Sequence, residues 1–360
     1  MIASKAAVSR AANAPLSIET VMVRPPAEGE VLIELKVAGL CHTDLHAIEG
    51  NSRAVRWPMV LGHEGAGVVA EVGPGVDEFR AGDHVLPFAM PECGHCDLCT
   101  DGRPHNFCEQ FPSMFGGART GFGDGMAAFV SLGTFSQYIT VPAWSLAKVR
   151  PDAPLDLIST VSCGVATGVG AVLFTAKVER GASVVVFGLG GVGLSAVQGA
   201  RMAGATTIIG VDVAADKEAA GRSYGMTHFV NPREVDNVVE SIQGITGGGA
   251  DYSFDCVGNI ALLRQAFDCL RTSYGVCTAV GLVGGELTIP APMLLMGKRL
   301  IGTTMGGARP KEDLPRLVDY FMDGQLDLET LVSDRLPFDL INHGFDLMRE
   351  GKTRRTIVTF

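Results

Sequence analysis

The apolar run Ser183-Val184-Val185-Val186-Phe187 leads directly into Gly188-Leu189-Gly190-Gly191-Val192-Gly193, and residues 194–202 continue with a helical rhythm. Strand, glycine turn and helix in that order constrain the fold strongly, because a parallel strand buried on both faces must be covered by crossover helices. From about Thr167 to Thr304 the same texture recurs. Apolar segments at 206–211, 228–230, 253–257 and 276–280 alternate with stretches of helical length. The pattern predicts an α/β unit with a doubly wound parallel sheet. Gly188, Gly190, Gly191 and Gly193 let the backbone approach a pyrophosphate, and the amides of the following helix face an anion. Asp212 ends the next strand, where a carboxylate accepts hydrogen bonds from both hydroxyls of an adenosine ribose. It would repel a 2′-phosphate, so NAD is expected rather than NADP. The alternatives are a turn that binds nothing and an aspartate that merely caps a helix.

The rest of the chain reads differently. Between 18 and 149 short strand-like segments alternate with turns. Val31, Ile33, Leu35 and Val37 share one face and Glu34 and Lys36 the other, which predicts a β-rich barrel or sandwich. After Gly307 come two expected helices, 311–322 and 339–349, and a last strand, 355–360. A length of 360 residues suits about two domains. A net charge of -10 argues against nucleic acid as a partner. No apolar run reaches the roughly 20 residues of a membrane span, and the first 14 residues lack the apolar core of a signal peptide. Six of nine cysteines occupy metal-like positions, which favours a reducing, cytoplasmic setting over a disulfide framework.

Those cysteines form two groups. Cys93-x2-Cys96-x2-Cys99-x8-Cys108 has the spacing of a closed tetrahedral zinc that braces a loop. His95 and His105 are competing ligands, although four thiolates already complete the shell. The second group is dispersed. Cys41, His63 and Cys163 supply two thiolates and a neutral imidazole, leaving one position for water or an alcohol. Asp44 would orient His63, and Glu64 is an alternative ligand. Taken alone, Cys163 reads as a core cysteine; only the set makes it a ligand.

With Gly62-His63-Glu64-Gly65, the four-cysteine lobe, Cys163-Gly164, the glycine turn and the terminal Arg355-Thr356-Ile357-Val358 in this order, nearly the whole chain resembles the zinc-dependent medium-chain alcohol dehydrogenases, with features of their class I, class III and aryl alcohol branches. The resemblance implies a GroES-like catalytic domain from residues 1–166 and 305–360, with a zinc lobe at about 90–110, around a Rossmann domain at 167–304. It implies two zinc ions per chain and NAD. Thr43 would contact the alcohol oxygen and His46 would relay its proton. His42 and Arg355 would approach the pyrophosphate, Lys217 would assist Asp212, and Thr167, Val192 and Val280 would border the nicotinamide. Ala89, Phe135, Leu282 and Thr304 would line the alcohol pocket. It further implies a homo-oligomer formed through the Rossmann edge strands, expected in 286–306.

Several positions depart from the family pattern. The x8 spacing in the lobe exceeds the usual x7, implying a bulge near Pro104. Ser162 stands where glycine is common, and His42 where arginine is. Glu109-Gln110-Phe111-Pro112 follows Cys108 without the arginine that glutathione-dependent enzymes use, Arg119 being the nearest candidate. A small Ala89 points to bulky or aromatic primary alcohols oxidised to aldehydes. The alternatives are an S-hydroxymethylglutathione-type formaldehyde dehydrogenase, a polyol dehydrogenase, and a dinucleotide-binding module without catalysis.

Overall fold

The computed structural model describes residues 1–52, 54–100, 107–115, 120–123 and 125–360. Two compact units emerge, Met1–Cys163 with Arg309–Phe360, and Gly164–Ala308. The chain therefore passes between them at 163/164 and 308/309, rather than at the expected 166/167 and 304/305.

In the first unit a sheet runs in the order Asp334–Pro337, Thr356–Thr359, Glu30–Gly39, Glu64–Val72, His84–Pro87 and Leu146–Val149, with Tyr138–Pro142 also paired to Glu30–Gly39. A smaller sheet joins Ser17–Val23, Ile2–Ser9, Met59–Val60 and Ala127–Ala128. The alternation seen in Glu30–Gly39 is realised: Val31, Ile33, Leu35 and Val37 are buried while Lys36 is exposed. One apolar core collects Val8, Ile33, Leu35, Phe129 and Phe135 together with Phe345 and Val358 from the distant C-terminal segment. Register is what matters for chemistry. Gly39 lies opposite both Glu64 and Ile357, so three strand ends converge where Cys41 leaves the sheet.

The second unit carries six parallel strands in the order His228–Val230, Thr207–Val211, Ser183–Phe187, Tyr252–Asp255, Val276–Ala279 and Arg299–Gly302. This is the doubly wound arrangement, with the glycine turn at the C-terminal end of a central strand, next to the reversal of strand order. Helix Gly191–Ala203 packs tightly on helix Gly164–Gly170, where a Cβ on Gly168 would sit 2.2 Å from the Val192 carbonyl oxygen. Asn237 and Asn259 each accept two backbone N–H groups at the start of helices Val238–Thr246 and Ile260–Asp268.

Within 286–306 only Arg299–Gly302 is a strand. Pro290 and Pro292 instead open a short helix, Ala291–Leu295, because proline lacks the donor a strand ladder needs and suits a first helical turn. Among the described residues no single helix is long and apolar enough to cross a membrane.

Asp255 is fully buried at the end of its strand. Its Oδ1 accepts the Val257 and Gly258 N–H groups at 3.0 and 3.2 Å, while Oδ2 has no partner. Burial pushes this carboxyl above its ordinary range, against the pull of those two N–H donors. A raised folded-state value favours folding most at pH below the unfolded value, and that advantage is lost as pH rises through the folded value. Asp255→Asn keeps the accepting oxygen and removes the buried charge. It is expected to melt at higher temperature than the wild type at pH 8, with the difference closing towards pH 4 in paired thermal scans.

Candidate active site and cofactor sites

The Cys41 end of strand Glu30–Gly39, the turn before Glu64 and the loop ending at Cys163 bring one ligand atom each from Cys41, His63, Glu64 and Cys163 to within 4.8 Å of one another. Each position has a local cause. Gly62 adopts φ +93, and a Cβ there would strike Thr134 and Phe135 at 2.5 to 2.6 Å. Only glycine makes this turn, which delivers His63 into the site. Helix His42–Ile48 holds Asp44 fully buried, and its Oδ1 accepts the Gly62 N–H at 3.0 Å and faces His63 Nδ1 at 3.1 Å. His63 Nε2 remains buried without a hydrogen-bond partner, which is the atom a metal would take.

Charges around this cluster explain its titration. Burial pulls His63 down, but the charges of Asp44 and Cys41 outweigh it and hold the imidazole well above its ordinary value. The Cys163 thiol hydrogen-bonds Cys41, holding Cys41 well below the usual thiol value and Cys163 well above it. Burial lifts Glu64 to about 8 even though Arg355 lies beside it. Two thiols, an orphaned imidazole nitrogen and a carboxylate in a buried cluster fit a divalent zinc, which offsets the desolvated negative charge.

Arg355, expected at the pyrophosphate, lies buried in this same cluster. Its Nη1 is 3.3 Å from Glu64 Oε1, an ion pair rather than an aligned hydrogen bond, and donates to the Leu40 carbonyl at 3.1 Å. Two contributors carry weaker sequence signals. Gly39 has no side chain because a Cβ would meet Glu64 Oε2 at 2.5 Å. Ser162 Oγ accepts the Gly65 N–H at 3.3 Å and donates to the Ser159 carbonyl at 2.8 Å, tying the Cys163 turn to the strand that follows His63. The departure from glycine at 162 thus has a structural use. The signal for Gly39 was only its place two residues before Cys41.

In the lobe, Cys93, Cys96, Cys99 and Cys108 also bring their sulfurs within 4.8 Å. The Cys93–Cys99 and Cys96–Cys108 sulfur separations are 4.0 and 3.9 Å, close to the edge of about 3.8 Å expected for a tetrahedron with Zn–S bonds of about 2.3 Å. Pro104 and His105 lie outside the described residues, as does Arg119. Glu92, adjacent to the lobe, accepts the Lys311 N–H at 3.0 Å and so ties the lobe to helix Pro310–Met322, a contact no motif announces.

In the second unit, Gly188 has φ +87, and a Cβ on Gly193 would fall 1.7 Å from the Gly188 carbonyl oxygen. The Cβ direction of Gly190 meets nothing within 4 Å, leaving that backbone open to a phosphate. Asp212 and Lys217 pair at 3.0 Å. Thr167, Val192 and Val280 are half-buried.

The alcohol dehydrogenase GroES-like domain model matches residues 27–151 and the zinc-binding dehydrogenase model residues 191–322. The S-(hydroxymethyl)glutathione dehydrogenase of Paracoccus denitrificans is 43% identical, over 99% of this chain and 100% of its own. The chain belongs to the zinc-dependent alcohol dehydrogenases. Among solved structures it is similar to an alcohol dehydrogenase zinc-binding domain protein from Burkholderia ambifaria, at 39% identity and TM-score 0.93, covering 100% of this chain and 99% of that one. It is equally similar in fold to the benzyl alcohol dehydrogenase of Acinetobacter calcoaceticus, at 31% identity and TM-score 0.93, covering 100% of both chains. This alcohol dehydrogenase is an NAD-dependent enzyme, with zinc and NAD as its cofactors.

Helix His42–Ile48 presents the expected proton-handling residues of this dehydrogenase. Thr43 is half-buried, with Oγ1 3.6 Å from Cys41 Sγ, and His46 is exposed one turn later. His42 begins the helix and is exposed. Ala89 is half-buried against the core of the first unit. Phe135 is not a pocket residue in this structure: it has no accessible surface and packs edge-on against Phe345 at 5.9 Å. Leu282 and Thr304 are exposed on the second unit. Metal analysis is expected to find two zinc ions per wild-type chain and one after Cys163→Ser. Asp44→Ala should weaken zinc retention at that centre about 10- to 100-fold in a chelator competition.

Proposed function

We propose that this enzyme oxidises the primary hydroxyl of an S-hydroxymethyl thiol adduct of the glutathione class, using NAD and releasing the S-formyl thioester. The observation that carries this reading is the full-length 43% identity to the Paracoccus denitrificans enzyme named for that reaction. The carbinol carbon of such an adduct resembles that of a simple primary alcohol, so the same residues serve both. Cys41, His63 and Cys163 would hold the zinc, which would supply Lewis acidity to the hydroxyl oxygen. NAD would supply the hydride acceptor, its adenosine ribose held by Asp212 and Lys217 and its pyrophosphate at the Gly188 turn. Thr43 and His46 lie three positions apart on one helix face. The threonine hydroxyl takes the substrate proton, and the exposed imidazole exchanges it with solvent. Thr167, Val192 and Val280 support the nicotinamide. Glu64 serves as a reserve ligand, its burial beside Arg355 keeping it within the cluster.

A second reading, oxidation of free bulky or aromatic alcohols to aldehydes, is favoured by two observations. Ala89 is small at a position that the family resemblance assigns to the alcohol pocket, and the exposed residue following Cys108 is the anion Glu109 rather than an arginine. Initial rates of NADH formation separate the readings. Formaldehyde plus glutathione is expected to outpace benzyl alcohol, cinnamyl alcohol, ethanol and sorbitol. Fast turnover confined to the free aromatic alcohols would reject the thiol-adduct reading. Ala89→Phe should lower the benzyl-to-ethanol rate ratio by roughly tenfold, equivalent to about 1.4 kcal/mol, and an unchanged ratio would remove Ala89 from the pocket.

We further propose a homo-oligomer. Leu282, Leu294, Leu295 and Met296 are exposed near the edge strand Arg299–Gly302, and an open strand edge beside apolar side chains suits coverage by a second copy. None of the nine cysteines is in a disulfide, which supports a reducing, cytoplasmic compartment.

A further inference from the structure

We propose that Asp212 positions the pyrophosphate turn as well as binding the adenosine ribose, so that one carboxylate sets both ribose recognition and the grip on phosphate. The proposal rests on the assignment of NAD to this turn. Asp212 is buried and its oxygens are already engaged. Oδ2 accepts the Leu189 N–H at 2.7 Å and a proton of Lys217 Nζ at 3.0 Å, and Oδ1 accepts the Ala214 N–H at 3.0 Å. Leu189 is the second residue of the glycine turn and precedes Gly190, whose backbone faces open space.

The rest of the turn has few restraints of its own. Gly188 N–H reaches the Val211 carbonyl at 2.8 Å and Leu194 N–H the Gly190 carbonyl at 2.8 Å, so the turn is fastened at its two ends. Between them, the Leu189 amide is fastened to Asp212 and the Leu189 side chain is buried. A Cβ at Gly210 or Gly221 would meet that side chain at 2.9 or 3.6 Å, so strand and helix glycines leave room for it. A buried N–H deprived of its acceptor is costly and leaves the loop free to rearrange. Removing the carboxylate to admit a 2′-phosphate therefore also loosens the cradle that every dinucleotide needs.

The test uses the full-length, zinc-loaded protein and 2′,3′-dideoxyadenosine 5′-diphosphate, which carries adenine and pyrophosphate but no ribose hydroxyl for Asp212 to bind. Asp212→Asn and Asp212→Ala both lose the charge, and only asparagine keeps an oxygen for the Leu189 N–H. Calorimetric Kd values are expected to be roughly tenfold weaker for the alanine variant than for the asparagine variant. Equal Kd values in the two variants would overturn the proposal and leave Asp212 a ribose ligand only. Wild-type protein that bound neither this probe nor NAD would instead overturn the cofactor assignment, and the proposal with it. Should the alanine variant not fold, amide exchange in the wild type decides. A Leu189 N–H protected like those of strand Ser183–Phe187 supports the tie, and exchange at the rate of an open loop refutes it.

Discussion

The metal centre depends on one oxygen atom. Asp44 Oδ1 receives the Gly62 N–H and faces His63 Nδ1, so a single buried carboxylate shapes the turn that delivers the histidine and selects the nitrogen left for the metal. The other ligands arrive through sheet register. Gly39 opposite Glu64 and Ile357 sets Cys41, Glu64 and Arg355 side by side, although these residues lie far apart in the chain. Such a cluster is expensive to bury unless its charges are compensated. A dication resolves the excess of thiolate and carboxylate, and Arg355 balances Glu64 from the other side.

The dinucleotide unit solves a different problem, which is how to expose backbone without losing its hydrogen bonds. Where Gly193 passes within a Cβ's reach of the Gly188 carbonyl, a larger residue would push the helix off the turn. The glycine at 190 leaves an open face instead. Acidic residues at the ends of the two strands flanking Ser183–Phe187 take up backbone amides, Asp212 that of Leu189 in the turn and Asp255 those of Val257 and Gly258 in the loop after its own strand. The carboxylates thereby do for these loops what capping asparagines do for helices Val238–Thr246 and Ile260–Asp268.

Legibility followed the range of the interaction. The glycine turn, its strand and its helix are local, so the residues from 183 to 202 spelled them out. The four-cysteine lobe was equally local, and its sulfurs meet at zinc-like spacing. Misreadings occurred where a side chain's destiny was set by distant partners. The apolar stretch of 286–306 suggested strands, yet Pro290 and Pro292 turned part of it into a helix. Phe135 looked like pocket lining and became core because Phe345, from the far end of the chain, closes over it. The neighbour of Arg355, Glu64, was likewise set by a segment far away in the chain.

The sequence by itself determined the doubly wound unit, the β-rich texture of residues 18–149, the ligands of the four-cysteine lobe and the acidic residue that follows the second strand of the doubly wound sheet. Each of these rests on periodicity or on donor chemistry within a short window. Only the tertiary structure decided that Glu64 joins Cys41, His63 and Cys163, that Ser162 fastens their turn, and that Asp212 is bonded to the glycine loop. Those outcomes depend on strand register and on which buried polar atoms find partners, and register is settled by the whole core rather than by any segment of it.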